Sequence, residues 1–296
     1  MRIVVGGASG LIGSALVPEL RSAGHDVVRL VRRESAAPDE VRWDPAAGKL
    51  DTTALEGIDA IVNLSGEYLG KRWTEARKRE ILDSRVASTD LLARTAARID
   101  PRPSVFAVAS AVGFYGDRGD EILTEESSAG TGFLTDVVQA WEAAADPARE
   151  AGIRTVHLRQ GIVLSKDGGA LKQMLLPFKL GAGGRVGSGK QWWSWVGMDD
   201  VVAAYAYVLR SDVEGPTNVT APNPTTNSQF TKALGKALRR PTILPAPGFG
   251  IRTLFGEMGN AMLLQGQRVL PSRLLGAGFT FSVPTLDVAL QRALAD

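Results

Sequence analysis

Cysteine is absent from this 296-residue chain, which excludes disulfides, thiolate nucleophiles and zinc–thiolate sites. Histidine is almost absent: the 2 that occur, His25 and His157, lie far apart, each beside an apolar strand-like run. A histidine-based metal centre needs clustered ligands, so no metal is expected. No apolar run approaches the roughly 18 residues that cross a bilayer. The opening MRIVVGGASG runs straight into a strand and a glycine loop, without the long apolar centre of a secretory signal. A cytoplasmic protein with no membrane association is expected. An excess of charge is missing too: 34 Lys and Arg stand against 32 Asp and Glu, a net charge of +2. The one basic cluster, Arg77, Lys78 and Arg79, is interleaved with Glu75 and Glu80 as on a solvated helix face. Nucleic acid is therefore not an expected partner, and nothing in the sequence indicates a protein partner.

What is present is an ordinary globular composition, 44% hydrophobic and 22% charged. Strand-like and helix-like segments alternate through the first half. Residues 2–5, 27–31, 60–64, 105–109 and 155–158 are apolar runs, and helical spacing over 11–23, 75–99 and 133–151 separates them. Continuous apolar strands alternating with helices predict an α/β fold of the Rossmann type, a doubly wound parallel sheet covered on both faces. After Ile162 the pattern changes to a glycine-rich stretch, then QWWSWV, then helical spacing over 201–209 with Asp199 or Asp200 as N-cap. Two short helices are expected around Ala261 and Ala289. The expected organisation is a nucleotide-binding domain over 1–164 with a return segment near 197–222, and a smaller α/β substrate domain from 165–196 and 223–296.

The string Gly7, Ala8, Ser9, Gly10, Leu11, Ile12, Gly13 follows the first strand and opens the first helix. Among 33 glycines such a string arises by chance, but not in this context. The first glycine permits a tight turn, the second lets backbone amides approach a pyrophosphate, and the third lets helix and sheet pack closely. The helix N-terminus then offers unsatisfied N–H groups and partial positive charge to phosphates. An enzyme that uses NAD places a carboxylate about 20 residues further on, at the end of the second strand. Here that place reads Val31, Arg32, Arg33. Guanidinium groups pair bidentately with phosphate, so the expected cofactor is NADP(H) rather than NAD(H).

The chain resembles the extended short-chain dehydrogenases/reductases, and more closely their atypical branch of the NAD-dependent epimerase/dehydratase kind. The resemblance runs through GGASGLIG at 6–13, VNLSGE at 62–67, RWTEARKREILDSRVAST at 72–89 and SAVGFYG at 110–116. It continues through WEAAA at 141–145, LRQGIVLSKDGGAL at 158–171, QWWSWV at 191–196 and GEMGNAMLLQGQRVLPSRLLGAGFTF at 256–281. It implies that Leu64, Ser65 and Gly66 lie beside the cofactor, and that Glu80 and Arg85 face it from the following helix. It implies an NADP(H)-dependent, epimerase-like oxidoreductase acting on a small polar molecule such as a nucleotide sugar.

Relatives move the substrate proton with a Ser or Thr hydroxyl and a Tyr–Lys pair. By the resemblance those positions are Ala111, Leu134 and Val138, none of which carries a proton. The remaining candidates are Ser110 and Tyr115, with Lys71, Arg72 and Lys190 behind them. Tyr115 follows the strand that carries Ser110, at the carboxyl edge where such sheets place ligands; a packing tyrosine is the competing reading. Trp192, Trp193 and Trp195 could wall a substrate pocket or simply pack a strand. Gly197 replaces a histidine that relatives usually carry. A non-catalytic, NADP(H)-binding regulatory protein, for example in cell division, is the alternative that these losses support.

Overall fold

The computed structural model describes residues 1–295. Strand β1 (Arg2–Gly6) leads through the glycine loop into α1 (Gly13–Ser22), followed by β2 (Asp26–Val31), β3 (Glu40–Asp44), β4 (Lys49–Leu50) and β5 (Ala60–Asn63). Helix α2 (Glu75–Arg98) crosses to β6 (Val105–Ala111); then come β7 (Ile122–Leu123), α3 (Phe133–Ala143), α4 (Asp146–Glu150) and β8 (Arg154–Gln160). Next are β9 (Ile162–Leu164), α5 (Gly169–Lys179), β10 (Trp192–Trp193), β11 (Trp195–Gly197), α6 (Met198–Val208) and β12 (Gly215–Val219). The chain closes with β13 (Thr225–Thr226), α7 (Asn227–Leu238), α8 (Gly248–Gly259), β14 (Arg268–Val269), α9 (Ser272–Gly276) and α10 (Leu286–Leu294).

Eight strands form one sheet in the order β12-β8-β6-β5-β1-β2-β3-β4, with β4 the antiparallel edge. The sheet grows one way from β1 through β2 and β3, then the other way from β5, so the order reverses between β1 and β5. Side chains alternate faces along each strand. Ile3 and Val5 enter the core shared with α1 and α6, whereas Val4 enters the core shared with Leu92 and Ala96 of α2 and Trp141 of α3. Both faces are covered, and so the strands read as unbroken apolar runs.

Helix α2 starts where Thr74 accepts a hydrogen bond from the Arg77 amide. The single helix expected over 133–151 is two, because Pro147 has no N–H to continue α3 and sits instead in the first turn of α4. Around Ala261 the chain forms a π-helical turn, Asn260–Leu264, not a separate α-helix. Neither Asp199 nor Asp200 caps α6: Gly197 is the N-cap, without a side-chain bond. Asp200 accepts from the Ser282 amide (2.7 Å), the Ser282 hydroxyl (2.8 Å) and the Val283 amide (3.1 Å), pinning the C-terminal segment to α6.

A separate apolar core gathers Leu171 and Phe178 of α5, Trp193, Trp195, Phe230 of α7 and Leu290 of α10. Trp193 and Trp195 are therefore packing residues and do not wall a pocket. Trp192 alone reaches outward; its indole N–H donates to Asp120 (2.7 Å) and Arg268 stacks 4.4 Å above its ring.

His157 lies inside β8, buried, with no hydrogen-bond partner for Nδ1. Burial holds its pKa below the ordinary 6.5. The unfolded chain therefore binds a proton that the folded chain resists, and stability falls as pH drops below about 6.5. In His157→Leu nothing titrates at that place, so calorimetric melting should vary less between neutral and mildly acidic pH than in the wild type. Equal slopes in the two proteins would remove His157 as the cause.

Candidate cofactor site

The glycine loop sits at the carboxyl end of β1, beside the reversal in strand order where open α/β sheets bind ligands. Gly7 has φ +75°, and a Cβ there would lie 2.7 Å from the Leu64 carbonyl carbon. Gly13 is more crowded, with a Cβ falling 2.3 Å from the Gly7 oxygen. The loop closes through the Gly10 amide on the Gly7 oxygen (2.9 Å), and the Ser14 amide bonds to the Gly10 oxygen (2.9 Å). Among the described residues the amides of Leu11 and Ile12 find no acceptor, and Ile12, the N-cap of α1, makes no side-chain cap. Ala8 and Ser9 carry the turn between these points.

A cleft of about 420 Å³ opens over this loop, lined by Ser9, Gly10, Ser14, Tyr68, Gly168 and Lys172. The larger groove, about 1410 Å³, runs past Arg154, His157 and Pro216 and contains none of the glycine loop. Size does not decide between them. The smaller cleft has free amides at a helix N-terminus, which is the chemistry a pyrophosphate needs.

The turn after β5 forms the other wall. Leu64 donates its amide to the Gly6 oxygen (2.9 Å), and the Ser65 amide bonds to Asn63 Oδ1 (3.1 Å). Asn63 is held in turn by Thr89 of α2 (2.9 Å). The Ser65 hydroxyl oxygen is buried without a hydrogen-bond partner among the described residues. Beneath Gly66 lies Arg85, whose guanidinium bonds to the oxygens of Glu67 (3.1 Å) and Ile81 (3.0 Å) and faces the Trp141 ring. Burial pulls the Arg85 pKa down to about 10, so it stays protonated at neutral pH and buttresses the turn. Glu80 is exposed on α2 and paired with Arg77 (2.9 Å). Arg77 also pairs with Glu67 (3.0 Å), holding its carboxyl below the usual range. Sequence reasoning missed this Arg77–Glu67 tie, since nothing in local spacing links a turn to a helix ten residues on.

The two arginines at the end of β2 part company. Arg33 is committed to Glu40, bonding both carboxylate oxygens (2.9 and 2.6 Å), whereas Arg32, beside Val31, is exposed and has no hydrogen-bond partner among the described residues. Only Arg32 is free to meet an anion.

The proton-donor candidates are not brought to the cleft. Tyr115 is fully buried; its hydroxyl donates to Asn218 Oδ1 (2.7 Å) and accepts from Arg159 (3.2 Å). Burial raises its pKa. Ser110 is buried and donates to Glu142 (2.6 Å). Glu142 also takes two bonds from Arg159 (2.8 and 2.7 Å), so Ser110 and Tyr115 belong to one buried ionic network. Both hydroxyl protons are engaged inside the protein, that of Ser110 on Glu142 and that of Tyr115 on Asn218. An arginine within the apolar run of β8 was the sequence signal for this network. Leu134 and Val138 pack in α3, with a Cβ at Gly113 meeting Leu134 at 3.2 Å, and Ala111 ends β6. Lys71, Arg72 and Lys190 are all exposed.

Residues 3–220 match the NAD dependent epimerase/dehydratase family. The chain belongs to that family. Its residues 246–293 match a further domain, one of unknown function. An epimerase family protein of Mycobacterium bovis is 44% identical over 290 residues, covering 97% of this chain and 96% of its own length. The crystal structure of the human epimerase family protein SDR39U1 with NADPH superposes with a TM-score of 0.89 at 36% identity, over 99% of each chain. A nucleoside-diphosphate sugar epimerase from Corynebacterium glutamicum has a TM-score of 0.81 at 34% identity, over 99% of this chain and 58% of that one. The protein has its glycine loop at the reversal of a doubly wound sheet. Among its described residues no helix is long and apolar enough to cross a membrane.

Proposed function

We propose that this epimerase-family protein binds NADP(H) and acts as an epimerase-like oxidoreductase on a small polar substrate of the nucleotide-sugar class. The observation that carries the cofactor assignment is Arg32, exposed at the end of β2 with no hydrogen-bond partner among the described residues, where a carboxylate would otherwise grip a ribose. The free amides of Leu11 and Ile12 and the orphaned Ser65 hydroxyl fit a diphosphate and its sugars at the same place. The human relative solved with NADPH, and the relative named as a nucleoside-diphosphate sugar epimerase, support the cofactor and the substrate class. When bound, a nicotinamide gives or takes a hydride. This chain's part is to orient the diphosphate at α1 and the 2′-phosphate at Arg32.

Arg32→Ala should weaken NADPH by roughly tenfold to a hundredfold, the loss of one charged hydrogen-bond partner, and leave NADH nearly unchanged. Titration calorimetry with both nucleotides checks this, and equal weakening of the two rejects the phosphate role. A second reading, a regulatory protein that binds NADP(H) without turnover, is favoured by one observation: the relay positions are apolar and Tyr115 is tied inside. Incubation with NADP+ across a panel of nucleotide sugars, read both by NADPH formation and by the stereochemistry of the recovered sugar, separates the two, since epimerisation returns the hydride and leaves no net absorbance change. Tight binding with no turnover on any of them leaves the regulatory reading.

A further inference from the structure

Charge is nearly balanced over the whole chain but not within it. Segments 168–198 and 215–256 hold nine of the 34 Lys and Arg and none of the 32 Asp and Glu, so the remainder is acidic. Elsewhere arginines are neutralised, as Arg29, Arg33, Arg77 and Arg118 are by neighbouring carboxylates. In these two segments Lys236 reaches Asp287 (3.5 Å), while Lys179, Lys232 and Arg239 are exposed with no carboxylate partner among the described residues.

The same region carries large apolar side chains in water. Leu176 of α5 and its C-cap Leu180, Ile243 and Leu244 after α7, and Phe249 and Leu254 of α8 are each 63% to 83% exposed. Leu176 and Leu180 are one helical turn apart on the same stripe. Backbone contacts lay these pieces side by side. Arg240 donates to the Lys179 oxygen (2.9 Å), the Ala246 amide bonds to the Arg185 oxygen (2.8 Å), and the Gly187 amide bonds to the Ala246 oxygen (2.9 Å).

Apolar side chains set among unneutralised lysines and arginines are the composition of a surface that lies in a lipid headgroup region. A protein interface is the weaker fit, because such interfaces are depleted in lysine at their centres, and five of the nine cations here are lysines. We propose that the face formed by α5, the loop after α7 and the start of α8 docks on an anionic lipid bilayer without crossing it. With neither a spanning run nor a long Lys/Arg run, the sequence predicts no membrane association; docking through a face assembled from separate segments needs neither. Helix α5 begins at the Gly168–Lys172 lip of the cofactor cleft, so the docking face and the cleft share one helix.

Co-sedimentation with vesicles of phosphatidylcholine alone, and of phosphatidylcholine with an equal part of phosphatidylglycerol, tests this on the full chain. The protein should pellet only with the anionic vesicles, and less as salt rises. Each lysine or arginine near the surface is worth about fivefold in partitioning, so Lys179→Glu/Arg239→Glu should weaken binding by well over tenfold. Leu176→Ser/Leu180→Ser/Ile243→Ser, at exposed positions, should weaken binding while leaving the melting temperature unchanged. Three results overturn the proposal: no pelleting with either vesicle, equal pelleting with both, or a wild-type dimer in solution that the serine variant dissolves. The last would assign the face to a second copy of the chain.

Discussion

Glu142→Leu is expected to lower the melting temperature by roughly 5–10 °C in calorimetry. The Arg159 guanidinium is buried over the Phe114 ring at 3.4 Å, and its charge is met by Glu142 through two hydrogen bonds. Removing one member of a buried ion pair leaves the other uncompensated and costs about 3–5 kcal/mol. In a chain of this size each kcal/mol shifts melting by roughly 1.5–2 °C. Ser110 loses its acceptor in the same variant, and the Arg159 contact that holds the Tyr115 hydroxyl is no longer anchored. Replacing both charges, in Glu142→Leu/Arg159→Met, should recover much of the loss, since well-packed apolar pairs often match a buried ion pair. Affinity for NADPH should change little in either variant, because the network does not line the glycine-loop cleft. A Glu142→Leu protein that melts with the wild type would show that Arg159 has another source of compensation.

Gly10→Val is expected to abolish measurable NADPH binding in a protein that remains folded. A Cβ at Gly10 would meet only the Gly7 oxygen, at 3.2 Å, which the loop can absorb by a small shift. The rest of the valine would project into the cleft that Gly10 lines, where the diphosphate must approach the backbone. Gly13→Val differs in kind. Its Cβ would fall 2.3 Å from the Gly7 oxygen and 2.7 Å from the Ala8 Cα, so α1 could not start where it does and the soluble yield should collapse. Circular dichroism and titration calorimetry on both variants separate the two effects. Full-strength NADPH binding by Gly10→Val would remove the glycine loop as the diphosphate site.

The glycine loop and the parallel sheet were legible because each is a local matter. An apolar run buried on both faces has no polar positions to disguise it, and the crowded turn at 7–13 accepts glycine where other residues clash. The paired partners were not legible, because they are distant in sequence. Arg32 and Arg33 look alike at the end of a strand, and only the return of Glu40 in β3 takes one of them and leaves the other. Ser110 and Tyr115 look like free hydroxyls beside a strand end. Folding brings Glu142 and Asn218 against them to take their protons, and Arg159 to donate to Tyr115. The cationic apolar face escaped notice for the same reason, since its residues come from 176 to 254 and average away in a net charge of +2.

By itself the sequence determined the doubly wound fold and the place of the glycine loop, since each depends on residue type and short spacing. The tertiary structure alone decided which arginine is free, which hydroxyls are spent and which face is exposed. Those outcomes depend on what burial and chain return place within hydrogen-bonding distance of each group.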